Sequence, residues 1–182
     1  MSVQAAMLRG VNLGSRKVVM SELRTLCQTA CGGAAKTLLA SGNVVVDAKL
    51  TGEKLEKNLE AAIAKGLGLK TDVFVRNGAE LDAAIAANPF TEFAKKDPSR
   101  LQIFFLGEQP SATEKQAIEA GQAGSEAARV VGREVFVTFP DGIARSKWKL
   151  KTKAASTARN WNTVTKLAAL MREIEKGARQ SE

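Results

Sequence analysis

The feature that most constrains the fold is an order of short strands and amphipathic helices that occurs twice along the chain. In the first half, apolar stretches of strand length lie at residues 3–8, 36–39, 43–47 and 72–76. Helical spacing occurs over residues 21–30 and again in a stripe formed by Leu55, Leu59, Ile63 and Leu67. The order βαββαβ predicts an antiparallel sheet with both helices on one face, which is the ferredoxin-like arrangement.

The second half repeats this order less completely. After a helix at 79–87 and a loop at 88–99, we predict strands at 101–106, 129–131 and 134–139 and helices at 112–120 and 163–174. The fold class is therefore α+β, with two ferredoxin-like-related βαββα units, antiparallel sheets and an internal duplication. The predicted domains are a ferredoxin-like unit at 1–77, a helix with a connecting loop at 78–99, and a second βαββα unit with a basic C-terminal segment at 100–182.

Composition excludes several kinds of chemistry. The 182 residues include no histidine and no tyrosine, so histidine-based nucleophile systems, histidine-ligated zinc and phenolic acid–base catalysis are excluded. The two cysteines, Cys27 and Cys31, are not a C-x-x-C pair and are interpreted as buried apolar residues. No metal site and no cofactor is predicted, and the sequence identifies no catalytic residue.

The length of the apolar runs in the sequence bears on the subcellular location. These runs are far shorter than the ~20 residues that a membrane-spanning helix needs. The first residues also lack the basic leader and apolar stretch of a secretory signal. We therefore expect a cytoplasmic protein without membrane contact.

Two glycine-bearing segments at strand ends are candidate binding loops. The first follows the first strand and contains Arg9, Gly10, Asn12 and Gly14. Its backbone N–H groups and its arginine could surround an anion, but a strand-to-helix loop needs glycines for its geometry in any case. The second segment has the same two interpretations, a binding loop or a hairpin turn, and consists of Ser41, Gly42 and Asn43.

A third segment concentrates positive charge. Between Asp141 and Glu173 there is no acidic residue, and the formal net charge of the whole chain is +8. The basic residues of this interval are Arg145, Lys147, Lys149, Lys151, Lys153, Arg159, Lys166 and Arg172. Such local asymmetry is typical of a surface that binds phosphate or another anion, and the alternative is a solvated basic face.

The same interval contains both tryptophans, Trp148 and Trp161. An exposed tryptophan beside lysine or arginine could stack on a nucleobase, whereas a buried one would anchor the last helix. Either Asn162 or Thr163 can cap that helix. Its first N–H groups, together with Arg159, would then form an anion site.

Five motifs along the chain support a family resemblance: MLRGVNLGSRKVVMSEL, LLASGNVVV, VRNGAELDAAIAANPF, FPDGIARSKW and TARNWNTVTKL. In this order they resemble the domain of unknown function 1697. The resemblance implies an α+β fold with two ferredoxin-like-related halves, and it implies no activity or catalytic residue. The positions that match its motifs are our candidate ligand-binding residues: Arg9, Gly10, Asn12, Gly14, Ser41, Gly42, Asn43, Arg145, Ser146, Arg159, Asn160, Trp161, Asn162 and Thr163.

The leading hypothesis is a module that binds nucleic acid or a nucleotide phosphate. Its phosphate contacts would be Arg145, Lys147, Arg159 and Lys166, with Trp161 or Trp148 stacking. One alternative is a small-molecule binding protein or enzyme whose pocket lies between the halves and takes a ligand such as a phosphorylated small molecule. Another is a homo-oligomeric scaffold. The sequence leaves the oligomeric state open.

Overall fold

The first half of the chain builds one four-stranded antiparallel sheet. The computed structural model describes residues 1–11, 17–121 and 124–179. The first-half elements are β1 (Ser2–Leu8), α1 (Met20–Cys31), β2 (Ala35–Leu38), β3 (Asn43–Ala48), α2 (Gly52–Leu67) and β4 (Val73–Asn77). The strand order β2-β3-β1-β4, with every neighbouring pair antiparallel, is that of the predicted βαββαβ unit.

Both helices of this half pack on one face of the sheet. Leu55, Leu59 and Ile63 are fully buried along α2, where the sequence placed an apolar stripe. Fully burying one such side chain contributes about 1.5–3 kcal/mol. The remaining members of this core cluster come mainly from α1 and from the facing strands, and include Leu23, Cys27, Ala6, Leu8, Val44, Val46, Val73 and Val75.

The second half builds another sheet with the same topology. Its elements are α3 (Gly78–Ala86), α4 (Thr91–Lys96), β5 (Leu101–Leu106), α5 (Ala112–Ala120), β6 (Ala127–Val131), β7 (Glu134–Thr138), β8 (Ser156–Asn160) and α6 (Trp161–Arg179). The order β6-β7-β5-β8 repeats that of the first sheet, and all pairs are again antiparallel. The prediction of an α+β protein made of two related units with antiparallel sheets is confirmed.

Contacts group the chain into two compact units. The first unit is Met1–Asp82 together with Lys166–Glu182, and the second unit is Ala83–Thr165. The predicted domain ranges, 1–77, 78–99 and 100–182, remain predictions.

The second unit departs from the predicted element order at two places. The predicted loop at 88–99 contains α4. More important, β8 was not predicted, because its inward positions are occupied by Thr157 and Arg159 and give no alternation of apolar residues. Where the first unit has α2, between its third and fourth strands, the described part of the second unit has only a short 3-10 helix, Ile143–Arg145, and a chain without regular secondary structure.

The two units also share a detail at the end of the fourth strand. Arg76 and Arg159 are both buried, and each donates through Nη1 to the carbonyl oxygen of the preceding residue, at 2.9 Å and 2.8 Å. The following residues, Asn77 and Asn160, each accept through Oδ1 the backbone N–H three residues further on, at 2.9 Å in both units. The Arg-Asn pair is therefore a repeated device that ends a strand and caps the next helix.

Candidate functional site

The basic segment of the second unit forms a row of exposed cations, which we call the cationic strip: Arg145, Lys147, Lys149, Lys151 and Lys153. All five are exposed, and the residues between them are partly or fully buried. This period-two alternation is that of an extended chain lying on a protein surface, with one set of side chains turned inward. The strip therefore points five positive charges in the outward direction.

Trp148 holds the middle of the strip against the core. It is only 9% exposed, and its ring centroid lies 5.6 Å from that of Phe104 and 6.1 Å from that of Phe139. Leu150 and Ala154 pack against the same cluster of buried apolar residues. Trp148 is thus a core anchor, and the prediction that it could stack on a base is wrong.

The N-terminal end of the strip is held by Ser146. Its hydroxyl donates to the carboxylate of buried Glu126 and accepts the backbone N–H of Trp148 at 3.0 Å. A hydrogen bond is electrostatically stronger in the low dielectric of a protein interior than in water. Ser146, predicted as a ligand-binding residue, therefore positions Trp148.

The C-terminal end is held by Glu114 of α5. Its carboxylate accepts the backbone N–H of Lys153 at 2.9 Å, the backbone N–H of Ser111 at 3.0 Å and the hydroxyl of Thr152 at 3.0 Å. The backbone hydrogen bonds from Lys153 and Ser111, followed by those from the Ser111 and Thr152 hydroxyls, lower the pKa of Glu114 to about 2. The strip is thus hydrogen-bonded to the rest of the second unit near both of its ends.

The charges of the strip have no acidic partners. Among the described residues, none of its five cations forms an ion pair. Elsewhere, six described cations pair with a carboxylate, in Arg9–Asp72, Lys36–Glu173, Lys57–Glu53, Lys95–Glu92, Arg100–Asp97 and Arg172–Asp82, and other exposed lysines such as Lys54, Lys65 and Lys96 have no ion pair within the described part of the chain. The strip thus concentrates positive charge that the described chain leaves uncompensated.

Other predicted phosphate contacts lie in different surroundings. Arg159 is buried, and its Nη1 donates to Thr157 Oγ1 and to the Ala158 carbonyl oxygen, both at 2.8 Å. Burial lowers its pKa to about 10. This enclosed guanidinium does not suit a surface phosphate contact. Lys166, on α6 in the first unit, is exposed.

The helix α6 is capped by Asn160, two residues before the nearer of the two predicted caps. Asn160 Oδ1 accepts both the backbone N–H and the hydroxyl of Thr163, each at 2.9 Å. The prediction that Asn162 or Thr163 caps this helix is therefore wrong, since both lie inside its first turn. Trp161 is partly exposed and Asn162 is exposed, whereas Thr163 is buried.

In the first unit, the predicted binding loop Ser41, Gly42 and Asn43 forms a close-packed turn. An added Cβ at Gly42, whose φ is 72°, would lie 2.2 Å from Val11 Cγ2, so only glycine allows this close approach. Asn43 is buried and donates through Nδ2 to the Leu38 carbonyl oxygen at 3.1 Å and to Ser41 Oγ at 2.7 Å. These contacts bring the Ser41–Gly42–Asn43 turn against the chain that follows β1.

Of the four candidate residues in the loop after β1, the structure describes Arg9 and Gly10. Arg9 pairs with Asp72 at 3.1 Å, and Gly10 has a left-handed φ of 63°. Together with Lys70 and Thr71 they line a small cavity of about 250 Å³. Asn12 and Gly14 lie outside the described residues.

Neither a metal-binding cluster nor a membrane-spanning helix occurs in the described part of the chain. Within residues 1–11, 17–121 and 124–179, no group of three or more acidic or cysteine side chains could hold a metal ion. In the same part of the chain, no helix combines the length and apolar character needed to cross a membrane.

The fold and the strip together define an α+β protein of two repeated antiparallel units, with a cationic surface on the second. The chain belongs to the family described as "Protein of unknown function (DUF1697)", whose model matches residues 1–136. The match ends before the cationic strip begins. Among solved structures, the conserved bacterial protein SP0830 from Streptococcus pneumoniae is similar in fold, with 22% identity over 94% of this chain and 99% of that chain and a TM-score of 0.77. No curated protein matches the chain.

Proposed function

We propose that this chain binds a phosphate-rich polyanion, nucleic acid in the first instance, through the cationic strip. One observation carries the proposal: five exposed cations stand in a row, and none has an acidic partner among the described residues. A like-charged row is unfavourable in isolation, and an external polyanion relieves its repulsion and releases condensed counterions.

The contacts that hold the backbone of the strip also favour binding. Ser146, Glu114 and the buried Trp148 hold the chain in place before any ligand arrives. Only the lysine side chains then lose freedom on binding, at about 0.5–1.5 kcal/mol for each immobilised side chain. A disordered basic tail would in addition lose backbone freedom, about 1–2 kcal/mol for each ordered residue.

The shape of the strip favours a long anion over a single nucleotide. A lone phosphate on an open surface would reach one or two of the exposed lysines, and isolated exposed pairs contribute about 0–1 kcal/mol each. A polyanion contacts several of them at once, and the contributions accumulate.

A small-molecule function remains the alternative, and one feature favours it. A groove of about 840 Å³ lies on the first unit, lined by residues of α1 and α2 that include Leu26, Thr29, Ala62 and Leu67. This volume lies within the ~300–1,000 Å³ of ligand pockets, but the groove is shallow and none of the residues predicted to bind a ligand lines it. We assign it no reaction.

A charge-reversal experiment tests the proposal. Fluorescence anisotropy would follow a panel of labelled single-stranded and duplex oligonucleotides against the parent protein and the variant Lys147→Glu/Lys149→Glu/Lys151→Glu. We expect saturable, salt-weakened binding by the parent and a loss of at least about tenfold in the variant. Lys54→Glu, at an exposed lysine of α2, is the matched control and should bind as the parent does. Binding that survives charge reversal, or no binding to any oligonucleotide, contradicts the proposal.

A further inference from the structure

Resting on the proposed function, we infer that the strip takes duplex nucleic acid, along its phosphate backbone and without reading bases. The class of partner is inferred from the spacing of the five cations and from the types of side chain that the strip does not present, namely stacking rings and base-reading groups.

The geometry of the row suits a stiff line of charge. Ser146 has extended dihedral angles, and burial alternates residue by residue through Lys153. In an extended chain, alternate side chains are about 6.6 Å apart, so Lys147, Lys149 and Lys151 span roughly 13 Å. Over such a distance one backbone of a duplex is nearly straight, and the three lysines can face phosphates of the same strand. Arg145 and Lys153 extend the row at its ends.

Among residues 145–153 the one aromatic side chain is Trp148, which is buried, and the partly exposed Trp161 lies outside the strip. Single-strand binding proteins combine cations with exposed aromatic rings on which successive bases stack. Here the ring of Trp148 faces Phe104 and Phe139 in the core, and the chain contains no tyrosine. A duplex needs no stacking group and carries a higher charge density than a single strand, so its binding releases more counterions.

The side chains of the strip do not suit base recognition. Four of the five are lysines, which act as point charges, whereas reading a base edge commonly requires the bidentate geometry of arginine, asparagine or glutamine. We therefore expect duplexes of unrelated sequence to bind alike.

An acidic protein partner fits the strip less well. Protein interfaces depend on a few large anchor residues that become buried at their centre. The large apolar residues within the strip, Trp148 and Leu150, are already turned toward the core of the second unit. Within residues 145–153 the outward side chains thus offer charge without an apolar anchor, and the exposed Ile143 lies just before them.

The test compares salt dependence across ligands. Anisotropy titrations over a salt series would use two labelled duplexes of unrelated sequence, their separate single strands, and poly-glutamate as a competitor. We expect the duplexes to agree within about twofold and to bind roughly tenfold tighter than the single strands. The slope of log K against log salt should lie between about −2.7 and −4.5, as for three to five phosphate contacts.

Single-lysine variants test whether each lysine contributes one phosphate contact to the salt dependence. Each of Lys147→Ala, Lys149→Ala and Lys151→Ala should reduce the magnitude of the slope by about 0.9, for both duplexes equally. Lys149→Arg should restore the parent slope because it keeps the charge, and Lys54→Ala should leave the slope unchanged.

The results distinguish a failure of the proposed function from a failure of the duplex inference alone. If no nucleic acid binds, the proposed function fails and this inference fails with it. If nucleic acid binds through the strip but single strands bind as tightly as duplexes, or the two duplexes differ by more than about tenfold, only the duplex inference is overturned. Displacement by poly-glutamate at equal charge concentration would assign the strip to acidic proteins and overturn the inference.

Discussion

The two units have the same sheet topology but differ in the segment that connects the third and fourth strands and covers the sheet. In the first unit this connection is α2, which buries Leu55, Leu59 and Ile63 against the sheet. In the second unit it is the extended strip, which covers the core mainly with Trp148 and Leu150. One large aromatic side chain thus helps to close a core that elsewhere needs a helical stripe.

The two connections also differ in charge. On α2, polar residues find partners nearby: Glu53 pairs with Lys57 at 2.6 Å, and Glu56 and Glu60 accept backbone N–H groups of β4 at 2.8 Å and 2.9 Å. The strip has no carboxylate of its own, because the sequence contains no acidic residue between Asp141 and Glu173. At the same topological position, one unit therefore has a helix with charges of both signs and the other has a row of cations only.

The largest expected effect concerns Trp148. Trp148→Ala should lower the free energy of unfolding of the second unit by about 3–5 kcal/mol, because a buried aromatic side chain is removed from a packed cluster. Urea denaturation followed by circular dichroism measures this loss. Lys149→Ala, at the neighbouring exposed position, should change stability by less than about 0.5 kcal/mol. A loss below about 1 kcal/mol for Trp148→Ala would mean that the strip does not cover the core.

A smaller effect, with a defined pH range, is expected at Glu114. Its folded pKa of about 2 is below the ordinary value of 4.5, so its ionised form stabilises the fold above pH 4.5. That contribution is lost as pH falls through about 2. Glu114→Gln should therefore be less stable than the parent at neutral pH, and the difference should shrink between pH 4.5 and 2. Thermal unfolding of both proteins across this range measures it.

Tryptophan fluorescence sharpens the Glu114 prediction. In a Trp161→Phe background, Trp148 is the remaining tryptophan and reports on the strip directly. Glu114→Gln should shift its emission toward that of a more exposed ring, because Thr152 and Lys153 lose their charged acceptor. Equal emission in both proteins at neutral pH would show that Glu114 does not hold the strip.

Local periodicity was enough to predict most of the fold. The helical stripe of α2 and the apolar strands β3 and β5 are short-range patterns, and the repeated element order followed from them. In contrast, β8 was not predicted, because its inward-facing residues, Thr157 and Arg159, are polar. Such a strand is defined by pairing with β5, which is a long-range contact.

The candidate site was predicted only in part. The concentration of basic residues was predicted from the sequence, whereas the period-two alternation of Lys147, Trp148, Lys149 and Leu150, which is typical of an extended segment, was not used. Its anchors could not be inferred, because Glu126 lies 20 residues from Ser146 and Glu114 lies 38 residues from Thr152. The Arg-Asn motif looked like a ligand site because a strand-ending, helix-capping pair uses the same residue types as anion recognition.

The central claim is that the strip itself meets the anion, and lysine footprinting tests it most directly. The protein would be acetylated with and without saturating duplex oligonucleotide, and the modification of each lysine would be measured by mass spectrometry. We predict that duplex protects Lys147, Lys149 and Lys151 and leaves Lys54 on α2 as reactive as in the free protein. Unchanged reactivity along the strip, with protection of lysines elsewhere, would contradict the account.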